Sequence, residues 1–377
     1  MQPPHNAPGS LYAPQQEARL ATTERAPLCH AATIPDGLAG LTEVPAHSFS
    51  NGADVLGPGD RVQLSIAGDS ARLTGTYIIT GDGAIELPGG MRLQAAGLTP
   101  FALESEARRA LIAGGIVRSI AGGVRLQRLE LSGIDVAVAG AVFFTGTVRV
   151  GDRAAEVRNL TVTYPTAGDV NITRTLSTAL RAAGGIRPDA AVQEIILVRG
   201  NDWARIDMSG ALDGASTTDI RLVAGDRVIV PSVGCLQESL IRPTSITVSG
   251  VRVFMSNLSR PAEGNGSSAV GQQSTSLPYG TRFLEALVSS NCVGGSMMNA
   301  GRHAVLIQRN PITGQTVVLS RSVEQLVRGA DRDQFNPYMM PGDAMACYDS
   351  AAMNLRDVIS TVSEAVTPYV LFRNVGN

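Results

Sequence analysis

Three stretches of the chain open on a Gly-Asp turn and continue as alternating apolar and polar positions. Residues 56–66 read LGPGDRVQLSI, 222–232 read LVAGDRVIVPS and 339–350 read MMPGDAMACYDS. Alternation with a period of two marks a half-buried strand, so each stretch predicts a turn that feeds a strand. A second motif lies between them. Residues 136–150 (VAVAGAVFFTGTVRV) are echoed by 246–261 (ITVSGVRVFMSNLSRP), each passing a Gly and bending at a Gly or Pro. An amphipathic segment ending in Gly-Gly follows each echo, at 175–185 (TLSTALRAAGG) and 281–295 (TRFLEALVSSNCVGG). Helical spacing puts Leu176, Ala179, Leu180 and Ala183 on one face of the first, and Phe283, Leu284, Leu287 and Val288 on one face of the second. The paired glycines suit a left-handed cap at the C-terminus of each helix. Strands at 194–199 (EIILVR) and 304–309 (AVLIQR) come next, then the Gly-Asp turn and a closing strand. The unit is thus strand pair, helix, strand, strand, and it occurs twice in tandem.

The residues ahead of the repeats follow another plan. Residues 75–88 (GTYIITGDGAIELP) read as a hairpin around Gly81-Asp82-Gly83. Residues 97–111 predict a helix with Thr99 as N-cap and Pro100 at its first position. Glu104 and Arg108 stand four apart, a spacing expected on its exposed face. A basic, alternating strand follows at 124–131, and residues 1–50, rich in proline and without periodicity, read as an arm.

Composition narrows the chemistry. The chain has 377 residues, 44% hydrophobic and 17% charged, which excludes a largely disordered polymer. Aromatics make up only 4% beside 41 glycines, so many short elements joined by turns are expected. A net charge of −2 gives no basic field for nucleic acid. All 31 basic residues are Arg, which excludes Schiff-base, P-loop and kinase lysines. Cys29, Cys235, Cys292 and Cys347 form no C-x2-C pair, and His5, His30, His47 and His303 show no ligand spacing, so no metal is expected. The cysteines fit two disulfides in an oxidising compartment, or four buried thiols.

No motif points to catalysis. Asp60, Asp226 and Asp343 occupy equivalent turn positions, where Asp bonds local backbone N–H groups, and read as turn residues rather than a carboxylate array. No helix opens after Gly81-Asp82-Gly83, so it is not a phosphate loop. His303 has no nucleophile motif beside it, and no pair of carboxylates marks a glycan hydrolase. Catalytic residues and cofactors are therefore none. Arg149, Arg153 and Arg158 could face an acidic glycan, although solvated or ion-paired arginines are the plainer reading. No stretch has the roughly 18–20 apolar residues of a lone membrane helix. The start MQPPHNAPGS lacks the features of a signal peptide, which fits a cytoplasmic chain or a mature, processed one.

The succession resembles the outer-membrane polysaccharide export family of Wza-type capsule exporters. Gly57-Pro58-Gly59-Asp60, the stretch from Tyr77 to Pro88 and Ala96-Gly97-Leu98-Thr99 are similar to its N-terminal export domain. The V-A-G-A-V-x-x-x-G-x-V stretch at 138–148 is similar to the start of its soluble-ligand-binding β-grasp domain, and 248–261 resembles a second start. The chain departs from the family at Pro88-Gly89-Gly90, at Asn257-Leu258-Ser259-Arg260-Pro261 and in a polar insertion at 263–276. The resemblance implies an α+β, multidomain chain. Its parts are an N-terminal arm (1–50), an export domain (51–135), two β-grasp domains (136–235 and 245–350) and a C-terminal amphipathic helix (351–377).

The implied function is an exopolysaccharide or capsule translocon subunit without chemistry of its own. The expected partners are copies of itself in a homo-oligomeric ring, exopolysaccharide, an inner-membrane polysaccharide copolymerase and outer-membrane lipid, with no nucleic acid. The expected location is the outer membrane, with most of the chain periplasmic. The alternative is a periplasmic β-grasp glycan-binding or adaptor protein that partners a separate outer-membrane pore. Within this frame a Cys292–Cys347 bridge would staple the second β-grasp domain and Cys29–Cys235 would pin the arm, one of three possible connectivities. In the family the C-terminal helices form a barrel. Leu355, Val358, Ile359, Val362, Val366 and Tyr369 would face lipid, and Arg356, Asp357, Ser360, Ser363 and Glu364 the pore. Such a stripe also fits a helix packed on its own domain, and Pro368 interrupts it.

Overall fold

A computed structural model describes residues 29–32, 35–51, 55–116, 123–153, 171–257, 276–290, 303–310, 314–330 and 332–348. The chain divides into two compact units. The first comprises Ala31–Ile186 and Ala190–Val233; the second comprises Met1–His30, Arg187–Asp189 and Gly234–Asn377. Helices and several sheets alternate along the chain, an α+β, multidomain architecture.

The first unit begins with β1 (Thr42–Glu43) and α1 (His47–Asn51), then β2 (Arg61–Ile66), β3 (Gly75–Ile78), β4 (Ala84–Leu87), β5 (Met91–Gln94), α2 (Pro100–Ala113) and β6 (Val124–Glu130). β2 pairs antiparallel with both β3 and β6, giving a three-stranded sheet in the order β3-β2-β6. Val62, Leu64 and Ile66 of β2 and Val124 and Leu126 of β6 turn inward, as alternation requires. Leu103, Ala107 and Leu111, spaced by four on α2, complete that core. Thr99 caps α2 by accepting the Ala102 N–H at 3.2 Å, and Pro100 fills its first position.

Two sequence expectations change here. The Gly81-Asp82-Gly83 turn reverses the chain, with the Thr80 N–H donating to Ala84 at 2.8 Å, but it joins no hairpin. β3 pairs with β2, while β4 pairs with β5 around Pro88-Gly89-Gly90. Glu104 and Arg108 do pair at 2.7 Å, yet not on an open face. Glu104 also accepts the Leu126 N–H at 3.1 Å and Arg108 donates to the Val124 carbonyl at 3.3 Å, so the pair ties α2 to β6.

The first unit continues with β7 (Ile134–Gly140), β8 (Gly146–Val150), α3 (Leu176–Ala182), β9 (Ile195–Arg199), β10 (Asp202–Ile206), α4 (Gly210–Asp213) and β11 (Arg227–Val230). Its six-stranded sheet runs β1-β10-β9-β11-β7-β8, with β11 parallel to β7 and antiparallel to β9. Leu176, Ala179 and Leu180 are the buried face of α3, and Gly184 and Gly185 leave it at φ +76° and +78°. At Gly140, φ is +91° and a Cβ would collide with the Val230 carbonyl oxygen, so only glycine closes the parallel pair there. Residues from the N-terminal stretch finish the sheet. β1 pairs with the edge of β10, and Leu38 packs on Ile196, Val198 and Trp203.

The second unit holds β12 (Gly250–Arg252), β13 (Phe254–Asn257), β14 (Ser276–Pro278), α5 (Phe283–Ser289), β15 (His303–Arg309), β16 (Thr316–Ser322), α6 (Val323–Arg328) and β17 (Ala344–Tyr348). Its four-stranded sheet runs β13-β17-β15-β16, with β17 parallel to β13 and antiparallel to β15. Order and strand senses repeat those of β7-β11-β9-β10. The register of the repeat differs from the sequence echo. The strand beside β17 is Phe254–Asn257, whereas Gly250–Arg252 pairs with Ser276–Pro278 instead. On α5 the buried residues are Phe283, Ala286 and Leu287, and Val288 is exposed. Cys29 and Cys235 form a disulfide with their Cα atoms 4.9 Å apart, and Cys347 is also disulfide-bonded.

Candidate functional site

The three Gly-Asp turns share one construction. In each, the carboxylate folds back on its own turn and accepts the N–H of the residue three positions earlier. Asp60 accepts from Gly57 at 2.8 Å, Asp226 from Val223 at 2.9 Å and Asp343 from Met340 at 2.8 Å. Gly59, Gly225 and Gly342 precede them at φ +85°, +89° and +87°, a conformation that favours glycine. The three aspartates are almost wholly buried, at 0%, 1% and 2% exposure. Burial of a carboxylate is costly unless it is paired, so the second partner decides each turn's electrostatics.

Those second partners differ. At the first turn Asp60 Oδ1 accepts the Ser132 N–H at 2.8 Å and lies 3.5 Å from Arg174 Nη1. Burial raises the Asp60 pKa, while Arg174 and the N–H donors of Ser132 and Gly57 oppose that rise. Arg174 immediately precedes Thr175, the N-cap of α3, so this contact joins the β2 sheet to the start of the helix. At the second turn Arg199, the last residue of β9, grips Asp226 with two parallel bonds of 2.9 and 2.8 Å. The same guanidinium donates to the Arg221 carbonyl at 2.9 Å and lies 5.0 Å from the Phe49 ring. At the third turn the partner is Gln308 of β15, which donates to Asp343 at 2.7 Å and to the Tyr338 carbonyl at 2.9 Å. Here burial pushes the carboxyl up to about 7.

Of the arginines near the first repeat, Arg149 is engaged in ion pairs. Arg149 forms two bonds to Asp152, at 3.1 and 3.0 Å, and one to Asp135 at 3.1 Å, all of which raise its pKa. His303 begins β15 and is half-buried. Cys292, Arg158, Gly294-Gly295 and most of the 263–276 insertion lie outside the described residues. So does the whole 351–377 segment with its lipid-facing and pore-facing sets. Among the described residues no group of three or more His, Cys, Asp or Glu side chains could hold a metal, and no helix is long and apolar enough to cross a membrane. Sequence reasoning placed the aspartates in turns but missed Arg174, Arg199 and Gln308. A signal for Arg199 and Gln308 did exist, since both lie near the C-terminal end of the strand that follows the helix in their repeats.

The sequence around the first turn matches a known family. Residues 50–127 match the family model described as polysaccharide biosynthesis/export protein, a span that runs from just before the first Gly-Asp turn to the middle of β6. No curated protein matches the chain. The match supports a polysaccharide export domain over residues 50–127 and, for that part of the chain, a role in polysaccharide biosynthesis or export.

Proposed function

We propose that the chain is one subunit of an outer-membrane ring that conducts exopolysaccharide or capsule polymer from the periplasm to the cell surface. The observation that carries this reading is the export domain itself, matched over residues 50–127. The remainder supports it. The shared four-strand order of β7-β11-β9-β10 and β13-β17-β15-β16, each with a parallel first pair and a helix in the connection, is read as tandem β-grasp domains. The disulfide at Cys29–Cys235 suits an oxidising periplasm, and Cys292–Cys347 is the proposed second bridge. Residues 351–377 are read as the helix that each subunit adds to a barrel. An inner-membrane copolymerase would supply the polymer.

A conduit needs weak, repeated contacts, because tight sites would stall the chain. The solvent face of the β3-β2-β6 sheet offers such contacts. Thr76, Gln63 and Gln127 lie abreast across the three strands, and Ser65 lies opposite Arg125 on the same face. Hydroxyl and amide groups bond sugar hydroxyls at about 0.5–1.5 kcal/mol each, the range a sliding polymer tolerates.

The test is the mass of the full-length protein purified in detergent. A ring gives a large multiple of 39.3 kDa. A monomer would overturn the reading and favour an adaptor that partners a separate pore. Deleting residues 351–377 should abolish both fractionation with outer membranes and export, while the rest stays folded.

A further inference from the structure

The second and third Gly-Asp turns occupy equivalent places in their sheets, and the side chain that meets the buried aspartate differs between them. Val198 lies opposite Arg227 and Ile307 opposite Ala344, so Gln308 stands in the second unit where Arg199 stands in the first. Both side chains bond the turn aspartate and the carbonyl five residues before it, Arg221 or Tyr338. Arg199 reaches both carboxylate oxygens of Asp226. Gln308 and the Met340 N–H both reach Oδ2 of Asp343, leaving Oδ1 as the atom where a proton can sit.

The other charged groups among the described residues that pack around this turn are committed elsewhere. Arg309, next on β15, donates to the Gly314 carbonyl at 3.3 Å. Arg282 donates to the Tyr338 hydroxyl at 2.9 Å and to the Asn336 carbonyl at 3.2 Å, and that hydroxyl lies 3.5 Å from Glu238. From β12 the Arg252 carbonyl accepts the Gly342 N–H at 3.2 Å while its side chain is exposed. From β13 the Phe254 N–H bonds the Asp343 carbonyl oxygen at 2.9 Å. Among the described residues no cation bonds Asp343 as Arg199 bonds Asp226.

We propose that the turn at 340–343 is a proton-operated latch on the closing strand β17, held shut by a proton on Asp343 and released when the carboxyl ionises. The proton comes from solvent and returns to it as the turn opens, and no covalent bond changes. The pKa of about 7 for this group supports the same reading. The sign follows from linkage. A carboxyl whose folded pKa is raised from 3.8 to about 7 contributes stability that is present at low pH and is lost as pH rises through that window. The inference does not depend on the export reading. It does give the strand that leads toward residues 351–377 a response to periplasmic acidity.

Hydrogen exchange on the full chain tests it, with peptides covering 339–347 followed from pH 5 to 8.5 and corrected for intrinsic rates. Protection should fall as pH rises, by up to about tenfold per pH unit, and level off above neutrality. Peptides over the Asp226 turn, 222–230, should show no such slope. Asp343→Asn places an amide where Oδ1 would carry the proton, preserves the Oδ2 bonds, and should flatten the response. Gln308→Arg should flatten it too, by supplying the missing cation. A flat wild-type profile, or an unchanged slope in Asp343→Asn, overturns the latch. Should Gln308→Arg fail to fold, Asp343→Asn alone still decides.

Discussion

The pair Arg199–Asp226 shows what a single guanidinium is worth in this fold. It is bidentate, its carboxylate is buried, and it also binds the Arg221 and Phe49 carbonyls at 2.9 and 3.0 Å. Removing one partner of a buried pair strands the other charge, a loss of about 3–5 kcal/mol. Arg199→Gln should therefore destabilise the first unit by about that amount at pH 7.5, measured by denaturant unfolding. It should also transfer the second unit's electrostatics to the first, so part of the lost stability returns on acidification. If Arg199→Gln unfolds with the same pH profile as wild type, the cation does not set how the turn responds to pH. That each aspartate serves a turn was legible in the recurring Gly-Asp pattern. Its second partner was not, because Arg199, Gln308 and Arg174 lie 27, 35 and 114 residues from their carboxylates. Local patterns carry turn chemistry; they carry no information on which distant side chain meets it.

Among elements, the two short helices are the clearest test of register. Leu180 and Leu287 are fully buried on α3 and α5. Leu180→Ala or Leu287→Ala should each cost about 2–5 kcal/mol in unfolding experiments. Val288→Ser, at 58% exposure, should stay within about 0.5 kcal/mol of wild type. Helix existence, the Gly184-Gly185 exit from α3 and the Leu176, Ala179, Leu180 face were readable because they are local properties, whereas α5 ends at Ser289 with Ser290 as its C-cap. Strand partners were less so. A period of two says that a segment is a strand but not which strand it pairs with. Residues 75–78 and 84–87 flank one turn yet join separate sheets, and in the second repeat 250–252 and 254–257 both alternate while only the latter meets β17. The Gly at 250 invited alignment with Gly140, whereas the residue in the pairing position is Asn257.

At the scale of the whole molecule, the disulfide outweighs any single contact. Cys29 and Cys235 are separated by 206 residues, and closing a loop of that length restrains the unfolded chain by about 5 kcal/mol on the chain-entropy view. Cys235→Ala, which leaves the bridge at Cys347 in place, should lower the denaturant midpoint accordingly, and reduction under native conditions should lower it at least as far. Equal midpoints for the oxidised and reduced protein would show that the bond restrains nothing. The alternation of strands and helices was readable from the succession of motifs. The two-unit division was not, because it follows spatial contacts and returns residues 187–189 to the unit that the sequence takes up again at 234.

The same bond encloses all of Ala31–Ile186 and Ala190–Val233 between two cysteines whose Cα atoms are 4.9 Å apart. The chain from residue 29 to residue 235 is thus a covalently closed circle. A protease that cuts once anywhere within it severs a peptide bond without releasing a fragment. Both pieces would travel together until a reductant reached Cys29, which lies exposed beside its buried partner.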